Sequence, residues 1–272
     1  MLDIYYINLD ARNDRRSQLL ANLSIFNKAQ WKIHRISAIS SEHVQEAALL
    51  GPLTLPEKAC FLSHLAAIKS SQQSKEFSLI LEDDVQFSKN STSVIEQTIN
   101  LMDESIDVVY AEIGFPSAEL MVHYFQLKYF LMNKQEFRLI DIPPINYFGA
   151  TAYILNSLAK EKILKLADGL DQLNLPFDDQ LQKWIRTGKL KAKFIFPFPV
   201  TLAPDSIISN IRRPTIEHMA INQFRISMGF DYDALRDADE KFELFFDQHH
   251  KKELDPFSRI LSLLICSNLN LK

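Results

Sequence analysis

Phe77-Ser78-Leu79-Ile80-Leu81, followed at once by Glu82-Asp83-Asp84, joins an almost unbroken apolar run to three carboxylates. An apolar run of that length fits a central strand covered on both faces, the kind that parallel α/β layers contain. Three like charges at the end of such a strand repel one another, and the arrangement persists most readily where a cation compensates them. In open α/β sheets the carboxyl ends of the strands are also where ligands bind. Alternation along the strand puts Glu82 and Asp84 on one side as metal ligands, with Asp84 preferred, and turns Asp83 toward a ribose hydroxyl or a basic partner. The plainer alternative is a solvated turn that closes the strand.

Upstream, Ile4-Tyr5-Tyr6-Ile7 is rich in strand formers, Asn8-Leu9-Asp10 offers a turn and a helix cap, and Leu19, Leu20, Leu23 and Phe26 keep helical spacing. Trp31 to Ile36 alternates like a second strand, and residues 37–53 read as irregular or partly helical. Thr54 with Glu57 three positions later forms a capping box, Pro56 is tolerated in the first turn, and Phe61, Leu65 and Ile68 supply a buried stripe.

Downstream, helices are expected near Val94 to Met102, Leu158 to Ala167 and Asp178 to Arg186, and strands over Asp107 to Ala111, Phe148 to Leu155 and Ala192 to Phe196. Gly114 to Asn146, dense in aromatics, gives no clear period and has room for an inserted hairpin or lid. Strands alternating with helices predict an α/β fold with a mainly parallel central sheet flanked by helices. Beyond Pro214 the pattern turns helical, so residues 1–213 are expected to form the main domain and 214–272 a smaller helical C-terminal extension.

Composition narrows the function classes. A chain of 272 residues, 47% apolar and 24% charged, can bury one substantial core, and its net charge of -4 gives no general attraction to nucleic acid or anionic lipid. The two cysteines, Cys60 and Cys266, lie far apart, which speaks against a disulfide framework or a structural zinc site. No signal-peptide pattern opens the chain and no apolar run approaches the roughly 18 residues that cross a bilayer, so a cytoplasmic location is expected. The six glycines are too scattered for a Walker loop or a dinucleotide fingerprint, leaving carboxylate-held metal as the way to grip a diphosphate. Asp231-Tyr232-Asp233 also spells Asp-x-Asp, but no apolar strand precedes it and it reads as a solvated helix start. In the tail, Phe257, Ile260, Leu261, Leu264 and Ile265 keep helical spacing, which suits peripheral contact with the inner membrane, packing onto the chain's own domain, or a second subunit. The oligomeric state is not legible.

Three motifs follow in order: Ile7-Asn8-Leu9-Asp10 with Arg12, Asp14, Arg15 and Arg16; Glu57-Lys58-Ala59-Cys60-Phe61-Leu62-Ser63-His64; and Ile80-Leu81-Glu82-Asp83-Asp84-Val85. Together they resemble glycosyltransferase family 25, which includes bacterial lipooligosaccharide galactosyltransferases and collagen galactosyltransferase domains. Gly149 to Tyr153 and Pro176-Phe177-Asp178-Asp179-Gln180-Leu181 extend the resemblance.

The resemblance implies a GT-A-like fold and a nucleotide-sugar donor, usually UDP-galactose. It further implies inverting transfer to a lipid-linked oligosaccharide acceptor, with Mn2+ or Mg2+ at Glu82 and Asp84. Donor contacts are then expected from Asn8, Leu9, Arg12, Arg15, Ser63, His64 and Asp83. A charged outer helix face is the alternative for the arginines, and a structural role for the histidine. Asp178 matches the acidic position of the family and becomes the expected general base, although Asp178 and Asp179 could equally favour a helix start. Two other classes fit the carboxylates or the scaffold: a metal-dependent nucleotidyltransferase or phosphohydrolase, and a non-catalytic carbohydrate-binding relative.

Overall fold

The apolar runs become inner strands of a seven-stranded sheet in the computed structural model, which describes residues 2–46, 50–74, 76–203 and 216–230. β1 (Leu2–Asn8), β2 (Ile33–Ser37) and β3 (Phe77–Glu82) lie in the order β2-β1-β3, all parallel, with Ile7 level with Glu82. That register carries Asn8 to the sheet edge at which the acidic turn begins. α1 (Asn13–Phe26) links β1 to β2, and α2 (Ser41–Glu46) and α3 (Leu55–Ser71) link β2 to β3.

After the turn come β4 (Val85–Phe87), α4 (Ser91–Leu101), β5 (Val108–Tyr110), α5 (Ala118–Lys134), β6 (Arg138–Asp141) and β7 (Ala152–Leu155). Next follow α6 (Ser157–Asp168), α7 (Phe177–Arg186), β8 (Ala192–Phe196), β9 (Val200–Leu202) and α8 (Ile216–Ser227). The sheet continues β3-β7-β5-β8-β6, with β7 antiparallel to both its neighbours and β6 antiparallel to β8. Strand direction is therefore mainly parallel, as expected, with β6 and β7 reversed. β4 and β9 form a separate antiparallel pair directly after the acidic turn, and the amide of Ala203 donates to the carbonyl of Asp84 at 2.7 Å.

Burial on both faces explains the continuous apolar runs. Ile80 joins Tyr5, Ile7, Phe61, Tyr153 and Leu181 in one core layer, whereas Leu79 and Leu81 join Ile4, Tyr6, Leu19 and Ile95 in the other. α3 begins with the expected capping box, the Thr54 amide donating to Glu57 at 3.0 Å.

The aromatic segment 114–146 is neither a hairpin nor a lid. It forms α5, capped by Ser117, and the edge strand β6. Met121, Tyr124, Lys128 and Leu131 keep a buried stripe at helical spacing, which the surrounding exposed Val122 and Phe130 mask in the sequence.

α8, the described part of the C-terminal extension, packs against the sheet-bearing body. Ile221, Phe224 and Met228 enter its core, and the Phe198 amide donates to the carbonyl of Met228 at 3.0 Å. The Asp231-Tyr232-Asp233 segment and the amphipathic tail lie outside the described residues. Among those described, no helix is long and apolar enough to cross a membrane.

Lys160 of α6 is only 1% exposed and donates to the carbonyls of Ser71, Ser74 and Glu76 at 3.1, 2.9 and 3.3 Å, tying the end of α3 to the start of β3. Lys160→Met leaves those acceptors without their shared donor. A loss of roughly 1–3 kcal/mol is expected, read as a lowered midpoint in urea unfolding at unchanged slope.

Candidate active site

A cleft of about 380 Å³ opens at the carboxyl edge of β1 and β3, within the usual size range of ligand sites. The turn Glu82–Asp84 lines it together with the end of β1, the first turn of α1, α3, and Asn222 and Arg225 of α8. Of the residues expected from the sequence, Leu9, Arg12, Arg15, Ser63, His64, Glu82, Asp83 and Asp84 line it.

The chain turns immediately after Glu82, so strict alternation ends there. Asp83 accepts from the Asn8 amide at 2.7 Å and from Arg15 at 3.1 Å, the basic partner foreseen for it. The same Arg15 nitrogen lies 3.3 Å from Oδ2 of Asp84. Oδ1 of Asp84 is buried and meets no hydrogen-bond donor among the described residues. Burial, reinforced by the charge of Glu82, pushes the Asp84 carboxyl up to about 7, against the pull of Arg15. Burial also acts to raise Glu82, but the hydrogen bond from His64 and the positive charges of His64, Arg225 and Arg15 outweigh it and hold Glu82 below its ordinary value.

Several expected donor contacts have their polar atoms committed to the protein. The Asn8 amide donates to the Arg12 carbonyl at 3.0 Å as well as to Asp83, and its oxygen accepts from Arg35 at 3.1 Å. The Ser63 hydroxyl donates to the Ala59 carbonyl at 2.7 Å and accepts from the Ile39 amide at 2.8 Å, which pins the loop after β2 against α3. Arg12 is paired with Asp14 at 2.7 Å. Arg12 and Ser63 line the cleft, Asn8 stands outside its lining, and Arg15 is the α1 arginine that reaches the acidic turn.

His64 is almost fully buried and held on three sides. Its Nδ1 meets the Tyr153 hydroxyl at 3.1 Å, its Nε2 meets Glu82 at 3.3 Å, and its ring stacks on Phe177 with centroids 4.4 Å apart. Asp178 follows Phe177 in the first turn of α7, half-buried and outside the cleft lining, while Asp179 is exposed. Burial, then the adjacent Asp179, raises the Asp178 carboxyl, and Glu82 adds to the shift.

Arg225 escaped the sequence reading. It forms a two-pronged buried pair with Glu112, donates to the Thr151 hydroxyl at 3.0 Å and to Asn222 at 3.1 Å. Gly114 permits this approach, since a Cβ there would lie 2.8 Å from Cδ of Arg225. The available signal was Glu112, a carboxylate just beyond a second inner strand, but its partner stands 113 positions away and belongs to no motif.

Glu82, Asp83, Asp84 and Glu112 oppose two guanidiniums, Arg15 and Arg225. Carboxylates thus outnumber guanidiniums four to two around the acidic turn. The unpartnered Oδ1 of Asp84 lies in that excess, so the donor set suits a hard divalent cation at Glu82 and Asp84.

The sequence model described as Glycosyltransferase family 25 (LPS biosynthesis protein) matches residues 1–181. Among curated proteins, none matches the chain. A solved glycosyltransferase involved in the glycosylation of the major capsid of PBCV-1 is similar over 68% of this chain and 73% of its own, with 13% identity and a TM-score of 0.41. Apo mouse xyloside xylosyltransferase 1 is similar over 70% of this chain and 64% of its own, with 13% identity and a TM-score of 0.34.

The raised Asp84 carboxyl links function to stability. The folded protein keeps that proton up to about pH 7, whereas the unfolded chain releases it near the ordinary 3.8. Between those values the folded state binds more protons, so stability falls as pH rises through the window and the cost is complete above it. Asp84→Asn in metal-free protein is therefore expected to gain about 1–2 kcal/mol at pH 8, a gain that vanishes towards pH 4 in denaturant melts.

Proposed function

The chain belongs to glycosyltransferase family 25, and from that membership we propose that it transfers a hexose, foremost galactose from UDP-galactose, to a lipid-linked lipooligosaccharide acceptor with inversion. The supporting observation is the cleft itself, where an acidic turn with an Asp84 oxygen unpartnered among the described residues shares the lining with Arg15 and Arg225. We take the fold to be a GT-A-like catalytic domain to which α8 contributes a wall, and residues 214–272 to be its extension. A soluble donor and a lipid-linked acceptor meet at the cytoplasmic face of the inner membrane, where we place the reaction.

In this reading Glu82 and Asp84 hold Mn2+ or Mg2+, which when bound supplies positive charge to the donor diphosphate. Arg15 orients Asp83 and Asp84, and Asn8 braces Asp83 from β1. Asp83 faces the donor ribose, Leu9 and Arg12 form the rim on the nucleotide side, and Ser63 and His64 fix the opposite wall. The acceptor oxygen forms its bond to the anomeric carbon as the bond to the diphosphate oxygen breaks, and the electron pair leaves with the nucleotide. Asp178 takes the acceptor hydroxyl proton, and its raised basicity suits a general base.

A thermal-shift panel of UDP-sugars with and without Mn2+ tests donor binding. UDP-galactose with Mn2+ is expected to raise the melting temperature most, by the equivalent of about 2.7 kcal/mol at a hundredfold excess over Kd. Mass spectrometry of products separates the classes: a hexose added to the acceptor with UDP released supports transfer, while nucleotide cleavage without a glycosylated product makes the protein a phosphohydrolase. Asp84→Asn is expected to abolish turnover with the fold intact.

The base assignment has its own control. Asp178→Asn is expected to lower kcat by roughly 10²–10⁴ with little change in KM, whereas Asp179→Asn stays within a few-fold. Equal losses in the two variants would remove Asp178 from that role.

A further inference from the structure

Beside the hard carboxylate position, the cleft holds a set of ligands of another chemical kind. Cys60 and His64 are four residues apart on α3 and so share a helix face, and Glu82 meets them from the end of β3. The ligand atoms of these three residues all lie within 4.8 Å of one another, and His64 Nε2 is already 3.3 Å from Glu82. Tetrahedral coordination with bonds of about 2.0–2.3 Å needs ligand atoms roughly 3.3–3.8 Å apart, a separation the His64–Glu82 pair already has.

We propose that Cys60, His64 and Glu82 form a second cation position, specific for a soft divalent ion of the Zn2+ class. Thiolate and imidazole favour such an ion over Mg2+ or Mn2+, which prefer oxygen donors. The imidazole is already oriented as a ligand, because the Tyr153 hydroxyl holds Nδ1, the Phe177 ring fixes the plane, and Nε2 is left facing Glu82. Three protein ligands lining an open cleft leave a fourth position for water or a substrate oxygen, the arrangement of an exchangeable site and not of a closed structural one. The widely separated cysteines gave no hint of this, because only one of them takes part.

Glu82 serves both positions. If the proposed donor site is correct, a soft ion at Cys60 and His64 withdraws a ligand from the hard ion and competes with it.

Co2+ titration of the full, metal-free chain tests the site without donor, acceptor or turnover. The expected result is one equivalent of Co2+ with a sulfur-to-cobalt charge-transfer band in the near ultraviolet, displaced by Zn2+. Cys60→Ser, a near-isosteric change whose melting curve checks folding, is expected to abolish the band. Glu82→Gln is expected to keep it at weaker affinity, and Asp84→Asn, which removes none of the three ligands, to keep the band. No band in the wild-type chain overturns the proposal, as does a band that survives Cys60→Ser, which would arise from Cys266. Because the readout needs no nucleotide sugar, its failure is separate from a failure of the proposed donor chemistry.

Discussion

Mutual repulsion among Glu82, Asp83 and Asp84 is the constraint around which the carboxyl edge of this protein is arranged. A buried strand end would not keep three carboxylates together without compensation, and each element bordering the cleft supplies part of it. α1 brings Arg15 to Asp83 and Asp84, α3 brings His64 to Glu82, and α8 brings Arg225 into the same field. The compensation is incomplete. Among the described residues Asp84 keeps one buried oxygen without a donor and a carboxyl raised to about 7, a local cost of the kind that functional sites retain.

The compensating charges are themselves held by secondary partners. The parallel register of β1 and β3 sets Asn8 beside Asp83, and Asn8 is steadied by Arg35 from β2, so three adjacent strands converge on one carboxylate. Arg225 is anchored by Glu112 at the end of β5 and by Thr151 beside β7, with Gly114 removing the side chain that would block α8. Lys128 of α5 donates to the carbonyl of Ser227 and fixes the far end of the same helix. The C-terminal segment thus contributes to the site as directly as the first ninety residues, where the recognisable motifs lie.

Carboxylates and a soft set of ligands meet at Glu82. If the proposed hard and soft ions both bind, Glu82 is a ligand to each, and the thiophilic ion gains a route to control the other. His64 has so few free atoms that its part is decided by what surrounds it: Tyr153 and Phe177 fix the ring, and Glu82 takes the remaining nitrogen.

Much of this was legible in the sequence, where local chemistry speaks for itself. The apolar run into Glu82-Asp83-Asp84 indicated a buried strand ending in carboxylates, Thr54 and Glu57 announced the start of α3, and three ordered motifs pointed to the family. Periodicity failed over residues 114–146, since the buried stripe of α5 includes a lysine and its exposed face includes Val122 and Phe130. Strand order and the reversal of β6 and β7 were also out of reach, because alternation of strands and helices carries no record of direction. Tertiary structure alone decided that Asn8 and Ser63 use their polar atoms to brace the site, that Arg225 pairs with Glu112, and that Cys60 stands beside His64 and Glu82. Contacts between residues far apart along the chain are fixed by packing, whereas caps, strand ends and motif spacing are written into neighbouring residues.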